Sequence, residues 1–422
     1  MTSTSDRSSS SADAALAAAY RSEWGRLSAL LVARTRRLDL VEDALGEAFA
    51  RAAETWPAAG VPRNPGGWLY TTAHRQVLGR LRAEAVAGRK APLLAVRPDW
   101  VAPDPPGGEL VDERLHLVLL CCHPALPRDS RSALALRLVI GTPTEEIARL
   151  FLVSTPTMAA RLTRAKKKIV GAGIPLGAPA ADELGARLDE VCRTIYLAFT
   201  AGYTPGTGPE LLRADLAGDA VRLAAVLTEL VPDEPQVRAL HGLLLLQHSR
   251  RDAREEAGRL VTLAEQDRSR WHRDEIDVAL ALVAGLEPSS GYAEELRLQA
   301  LIAAEHACAE TASATDWGAI TAHYAVLEAQ TGSAVVRLNR AVAVAEATGP
   351  REGLALLDGL DALLEDSHRL AAVRGELARR AGDLELAAAS YRVALARCGN
   401  DVERAHLERQ LILVEQGSDP SS

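Results

Sequence analysis

Residues 144–168, TEEIARLFLVSTPTMAARLTRAKKK, place hydroxyls and cations at helical spacing, the side-chain chemistry that grips and reads nucleic acid. Thr157, Arg161, Arg164 and Lys168 recur every three or four positions and so share one helix face. Met158, Leu162, Ala165 and Ile169 fill an adjacent stripe that must pack on a domain. Residues 155–170 hold five Lys or Arg and no acid, and three of the chain's four lysines (166, 167 and 168, the fourth being Lys90) sit there. An ordinary solvated basic face is the plain alternative, but it does not account for that concentration.

The positioning elements read as a helix-turn-helix. Thr144 can cap the first helix, with Glu145 and Glu146 in its first turn, where the helix dipole favours acids. Ile147, Leu150 and Phe151 give it one apolar face. Leu152, Val153 and Ser154 fit the turn, and Ser154 can cap the second helix. Pro156 follows in the first turn, where its missing N–H costs least. This layout lets the second helix enter a major groove.

The chain has 422 residues, 48% hydrophobic, enough for two or three domains. Its net charge of −8 divides unevenly: residues 1–180 carry 24 basic and 17 acidic side chains, residues 181–422 carry 24 and 39. A basic front and an acidic back suit a nucleic-acid module joined to something that avoids nucleic acid. Five cysteines (121, 122, 192, 308 and 398) show no CxxC, as expected of buried thiols in a reducing cytoplasm. No signal peptide or membrane-spanning run is visible.

Nearly all periodicity is helical, so the expected fold is all-α. Residues 1–14 read as a disordered tail. Leu16, Tyr20, Trp24, Leu27 and Leu31 mark a first helix. Asp39, with Glu42 three residues later, reads as a capping box opening a second. Val41, Leu45, Ala48 and Ala52 form its core stripe, with Phe49 and Trp56 beside it, and Pro57 is expected to end it. Asn64-Pro65 opens a third helix running to about Glu84. Residues 89–110 read as a Pro-rich linker, 111–172 as the helix-turn-helix domain, 173–181 as a hinge, and 182–416 as stacked antiparallel helices. The last part resembles tetratricopeptide repeats, most clearly over residues 374–395, where Gly375, Gly382, Ala387, Tyr391 and Ala394 fit the repeat's small and aromatic positions. A weaker copy surrounds Gly349, 33 residues before Gly382.

In this order, DLVEDALGEAFARAAETW (39–56), NPGGWLYTTAHRQVLGRLR (64–82) and VSTPTMAARLTRAKKKI (153–169) resemble a bacterial extracytoplasmic-function sigma factor of the sigma-70 family. CCHPAL (121–126), EQDRSRW (265–271) and LNRAVAVA (338–345) are similar to the subgroup with a C-terminal tetratricopeptide-like domain. The resemblance implies sigma region 2 at 15–88 and region 4 at 111–172. It implies that Asp43, Glu47 and Arg51 dock on the β′ coiled coil of RNA polymerase core, with region 4 on the β flap. It implies that Arg63, Asn64, Trp68, Thr72, Arg75, Gln76, Arg80 and Arg82 handle the melted −10 element. Thr144, Ser154, Thr155, Thr157, Arg161 and Arg164 would meet the −35 duplex, with Lys166, Lys167 and Lys168 mostly on phosphates. His74, Arg75 and Gly79 stand where family members often carry an Arg-Asn pair and an Asp, and Ala159 and Ala160 are short where longer polar residues are frequent.

Cys121-Cys122-His123 lacks a second ligand pair at finger spacing, so no metal is expected. Arg268, Arg270 and Asp267 are expected to form ion pairs fixing a helix junction around a buried Trp271. Asp316-Trp317 reads as a helix start with the indole packed. No phosphate-binding Gly-Lys-Ser/Thr loop, HExxH or nucleophile elbow occurs, so neither catalysis nor a cofactor is expected. Promoter DNA, RNA polymerase core and a protein or ligand on the C-terminal helices are the expected partners. The alternative is a one-component helix-turn-helix regulator that senses a ligand or protein through those helices.

Overall fold

Apolar residues spaced three and four apart draw most of the described residues into helices. A computed structural model describes residues 3–88, 107–151, 153–171, 181–203, 214–256, 259–365 and 367–417. Two units are distinguishable, Met1–Ile195 and Tyr196–Ser422.

In the first unit, α1 (Ser3–Thr35) and α2 (Leu38–Ala59) pack on α3 (Pro65–Gly88). The expected stripes are the buried ones: Trp24, Leu27 and Leu31 on α1, then Val41, Leu45, Ala48, Phe49, Ala52 and Trp56 on α2. Several boundaries differ from expectation. Helix α1 starts at Ser3, inside the stretch expected to be a disordered tail; serines cost a helix far less than glycine or proline. Pro57 does not end α2, which runs on to Ala59 and stops at Gly60 with a φ of 86°. A proline removes a donor from the preceding turn, but the chain can complete the turn it stands in. Asp39 does not cap α2. The helix starts at Leu38, and the Asp39 carboxylate accepts from Arg37 Nε at 2.9 Å. Arg37 also holds Glu84 at 2.7 Å, pinning the start of α2 to α3. Of the expected linker, residues 89–106 lie outside the described ones, and Gly107 already begins α4 (Gly107–Cys121). Of the expected hinge, 173–180 lie outside them, and Ala181 begins α8 (Ala181–Tyr203).

Between these lie α5 (Arg128–Ala135), a π-helical turn (Leu136–Ile140), α6 (Thr144–Leu150) and α7 (Thr155–Gly171). Arg131 fixes the CCHPAL segment: its guanidinium is buried, donates to Leu126 O at 2.8 Å and Pro124 O at 2.7 Å, and pairs with Glu190. Cys121 and Cys122 are buried beside it, and burial pushes the Cys122 thiol up to about 12.

The second unit stacks α9 (Ala214–Leu230), α10 (Pro235–His248), α11 (Arg273–Val283), α12 (Gly291–Cys308), α13 (Trp317–Thr331), α14 (Ala334–Ala347), α15 (Pro350–Leu356), α16 (His368–Arg380), α17 (Leu384–Arg397) and α18 (Asp401–Glu415). Successive helices from α12 onward pack on one another. Helix α10 is buried nearly all round, as its LLLL run requires. A two-residue hairpin, β1 (Glu255–Glu256) with β2 (Arg259–Leu260), is the one sheet among the described residues. Gly375 lets α16 meet the Tyr391 ring of α17: a Cβ there would lie 3.0 Å from the ring. Asp316 caps α13 by accepting from Ala319 N at 2.9 Å, and Trp317 packs edge-on against His306.

The junction around Trp271 differs in kind from expectation. Trp271 is buried, but Arg268 makes no ion pair with Asp267, whose carboxylate accepts from Ser269 N. The buried Arg268 guanidinium donates instead to His306 O and, at 2.7 Å, to Ala309 O, and stacks over the Trp271 ring at 4.6 Å. The last carbonyls of a helix lack partners within it, and a cation satisfies them better than a carboxylate could. His368 Nε2 is hydrogen-bonded to Glu403 at 2.9 Å beside Cys398, whose thiol donates to Asn400 O. Arg369 and Arg254 act on Glu403 as well, so a metal cation gains little there. Replacing Arg268 with Ala is expected to cost about 2–3 kcal/mol in the second unit, because buried carbonyls lose a charged donor; denaturant unfolding of the full chain measures it.

Candidate nucleic-acid interface

The helix-turn-helix is built much as the sequence implies. In α7, Met158, Leu162, Ala165 and Ile169 are the buried residues. They face α5 and α6, so the opposite side of α7 points outward. Ser154 Oγ accepts from Thr157 N at 3.4 Å and lies 2.8 Å from Thr157 Oγ1, which makes Ser154 the N-cap. Thr144 is not a cap: it is already the first residue of α6, and Pro143 stands at the cap position with no side-chain bond. Proline fixes an extended entry into the helix, and Glu145 and Glu146 supply the first-turn charge. Leu152 of the turn lies outside the described residues.

Ser154, Thr155, Thr157, Arg164, Lys167 and Lys168 are exposed, and Thr144 is half-buried. Arg161 is 22% exposed, with its guanidinium 3.7 Å from Asp129. These six exposed hydroxyl or cationic side chains at and along α7 are suited to phosphates and base edges.

Lys166 does not join them. Its Nζ lies 2.7 Å from Glu42 Oε2 on α2, and both side chains are nearly buried. Glu42 Oε1 accepts from Arg137 Nε at 2.7 Å. Glu42 therefore serves no capping box; its carboxylate is shared by two cations. Burial alone would raise its pKa, but Arg137 and Lys166 together outweigh burial and hold the carboxyl below the usual range. The stabilisation is thus present at neutral pH and is lost as pH falls through that lowered value.

Arg137 belongs to none of the motifs. The signal for it is a lone cation inside the apolar run 133–140, ALALRLVI, which must find a partner. Beyond Glu42 it donates to Thr142 O at 3.1 Å and lies 4.9 Å from the Trp24 ring. Trp24 Nε1 donates to Arg137 O at 3.0 Å, and Tyr20 OH to Gly141 O at 2.6 Å. Two glycines permit this approach. A Cβ on Gly25 would sit 2.2 Å from Val139 O, and Gly141, at a φ of 91°, faces the indole of Trp24. Helices α1 and α2 are thus in contact with the π-helical turn and α7 inside one unit.

Of the residues expected at the −10 element, Arg63, Arg75 and Arg82 are exposed. Asn64 caps α3, its Oδ1 accepting from Gly67 N at 2.8 Å. Trp68 packs edge-on against buried Trp56, ring centroids 5.8 Å apart. Thr72 bonds back to Trp68 O, and Gln76 is half-buried. His74 stacks on Tyr70, and burial lowers its pKa. Arg80 is drawn to the expected polymerase face: it lies 3.1 Å from Asp43 Oδ2 and also bonds Glu47. Arg51 is exposed on the same helix. Arg80 thus joins α3 to the acidic side of α2.

Among the described residues no helix is long and apolar enough to cross a membrane. The family "Sigma-70, region 4" matches residues 116–169, the segment that carries the helix-turn-helix. A family of unknown function, DUF6596, matches residues 187–286. An uncharacterized protein of Rhizobium meliloti (strain 1021) is 39% identical over 384 residues, covering 89% of this chain and 90% of that one. No solved structure matches. Neither family carries an enzymatic description. The chain belongs to the family of the Rhizobium meliloti protein, and its residues 116–169 form a sigma-70 region 4 domain.

Proposed function

We propose that the protein is a promoter-specificity subunit of bacterial RNA polymerase, of the extracytoplasmic-function type, acting in the cytoplasm. The observation that carries this reading is the row Thr157, Arg164 and Lys168, all exposed, with the partly exposed Arg161 between them, on the second helix of a region 4 domain. In this reading Arg161 and Arg164, with Thr155 and Thr157, read the −35 duplex, while Lys167 and Lys168 hold phosphates. Helices α1–α3 serve as region 2. Asp43, Glu47 and Arg51 dock on the β′ coiled coil, and region 4 on the β flap. Arg63, Trp68, Arg75 and Arg82 take the unpaired −10 strand, with Asn64 ordering the loop as the cap of α3. Catalysis by this chain is not required: its work is done by binding energy that places the polymerase.

The second unit, tetratricopeptide-like in this reading, regulates the sigma domains in cis. Its stacked helices and acidic composition suit a protein or ligand partner. A one-component regulator is the competing reading, and Arg80 lends it weight by neutralising Asp43 and Glu47.

In vitro transcription with bacterial core polymerase, on fragments upstream of this gene and its neighbours, separates the two. New start sites that require the protein, and fall at least about tenfold in the Arg161→Ala/Arg164→Ala double variant, are expected from the loss of two base contacts. Specific DNA binding without core, and no transcription with it, would replace this reading with the regulator. Truncation after Leu176 is expected to change promoter output in the same assay; unchanged output would remove the regulatory role of the second unit.

A further inference from the structure

The helical stack of the second unit leaves a groove that its own side chains do not fill. On α13, Ala325, Ala329 and Gly332 recur at helical spacing, so the face they share is shallow. That face meets the start of α14, and Leu360 and Leu363 of the turn after α15 complete the lining. The cavity between them measures about 300 Å³, the lower end of the range for small-molecule sites.

The lining combines two cations with uncovered apolar surface. Arg337 donates its Nε to Leu356 O at 2.8 Å and its Nη2 to Asp358 O at 3.1 Å, so neutral carbonyls hold its guanidinium in place. Arg340 donates Nη1 to Glu328 Oε2 at 2.9 Å, and its Nε is buried without a partner. Nη1 of Arg337 and Nη2 of Arg340 make no bond among the described residues. Two guanidiniums in the lining therefore face one carboxylate. Asp361, in the turn after α15, is taken by Arg374 at 2.8 Å. Leu363 is 66% exposed. The unit is acidic overall, but salt screens exposed charges beyond about 10 Å, so the two guanidiniums set the local sign.

An open groove between helices is ordinary. A surplus cation with donors to spare, in the same lining as a leucine that the chain leaves uncovered, is what distinguishes this one. We infer that the groove is a binding site for a small apolar carboxylic acid, with its carboxylate on Arg337 and Arg340 and its hydrocarbon part on Leu360 and Leu363. Guanidinium forks suit the planar carboxylate. One surplus positive charge matches a monoanion rather than a phosphate dianion, and the volume suits a free acid rather than a length of chain. The inference deepens the regulatory reading of the second unit and rests on it: such an acid is the ligand partner proposed there.

Calorimetric titration of the full chain with isocaproate, and with isocaproamide as its uncharged counterpart, tests the site. The acid is expected to bind at least about tenfold more tightly than the amide, because hydrogen bonds to a charged group are the stronger ones. Arg340→Gln is expected to remove that preference. Its pair with Glu328 is partly exposed, so the substitution costs the fold little. Ala329→Leu is the second variant. It puts a good helix former at an exposed helical position, fills the groove without touching a charge, and is expected to weaken acid and amide alike by about tenfold or more. Equal affinity for acid and amide, no binding of either, or acid binding unchanged in both variants would each overturn the inference. A tetrapeptide ending in leucine carries the same chemistry on a chain, and tighter binding of it than of isocaproate would overturn the free acid in favour of a peptide end. Neither DNA nor polymerase enters the measurement. Failure of the acid to bind, with promoter output that truncation after Leu176 does change, would remove the site alone. Selective binding, with output that truncation leaves unchanged, would keep the site and count against the regulatory reading.

Discussion

One carboxylate holds three segments of the first unit together. Glu42 sits 2.7 Å from both Arg137 and Lys166, with only 11–14% of each of these side chains exposed. Removing charges from water costs several kcal/mol per ion, so such groups persist only when every one finds a partner. Arg137 enters the protein because it lies in an apolar run that must be buried. Once there it requires an anion, and Glu42 is the one that reaches it. The same anion then draws in Lys166. The bend at the π-helical turn, the indole of Trp24 over the guanidinium and the glycines at 25 and 141 all accommodate this arrangement.

A common pattern links this contact to the surface of α2 and α3. Groups suited to nucleic acid or polymerase are matched with opposite charges of the chain itself: Lys166 with Glu42, Arg80 with Asp43 and Glu47, Arg161 more loosely with Asp129. Exposed pairs of this sort contribute little to stability, about 0–1 kcal/mol, and exchange readily for an external partner. The buried one does not.

Much of this is legible in the sequence where a local rule suffices. The buried stripe of α7, the Ser154 cap, the Asp316 cap and the close approach of Gly375 to Tyr391 all follow from spacing within one or two turns. The departures share a cause. Glu42 and Asp39 have the spacing of a capping box, but Glu42 finds cations 95 and 124 residues away, and these compete successfully against a backbone N–H. Arg268 has a carboxylate as its near neighbour and instead reaches carbonyls 38 and 41 residues on. Thr144 yields the cap position to Pro143, because proline already fixes the entry geometry. Local patterns name residues able to make a bond. They do not say which long-range partner competes for it.

Titration of the Glu42 carboxyl carbon by NMR, in the full chain with and without Lys166→Gln, tests the shared carboxylate most directly. We predict a midpoint below that of an exposed glutamate, moving upward when Lys166 loses its charge. A midpoint in the ordinary range, unmoved by the substitution, would contradict the shared carboxylate.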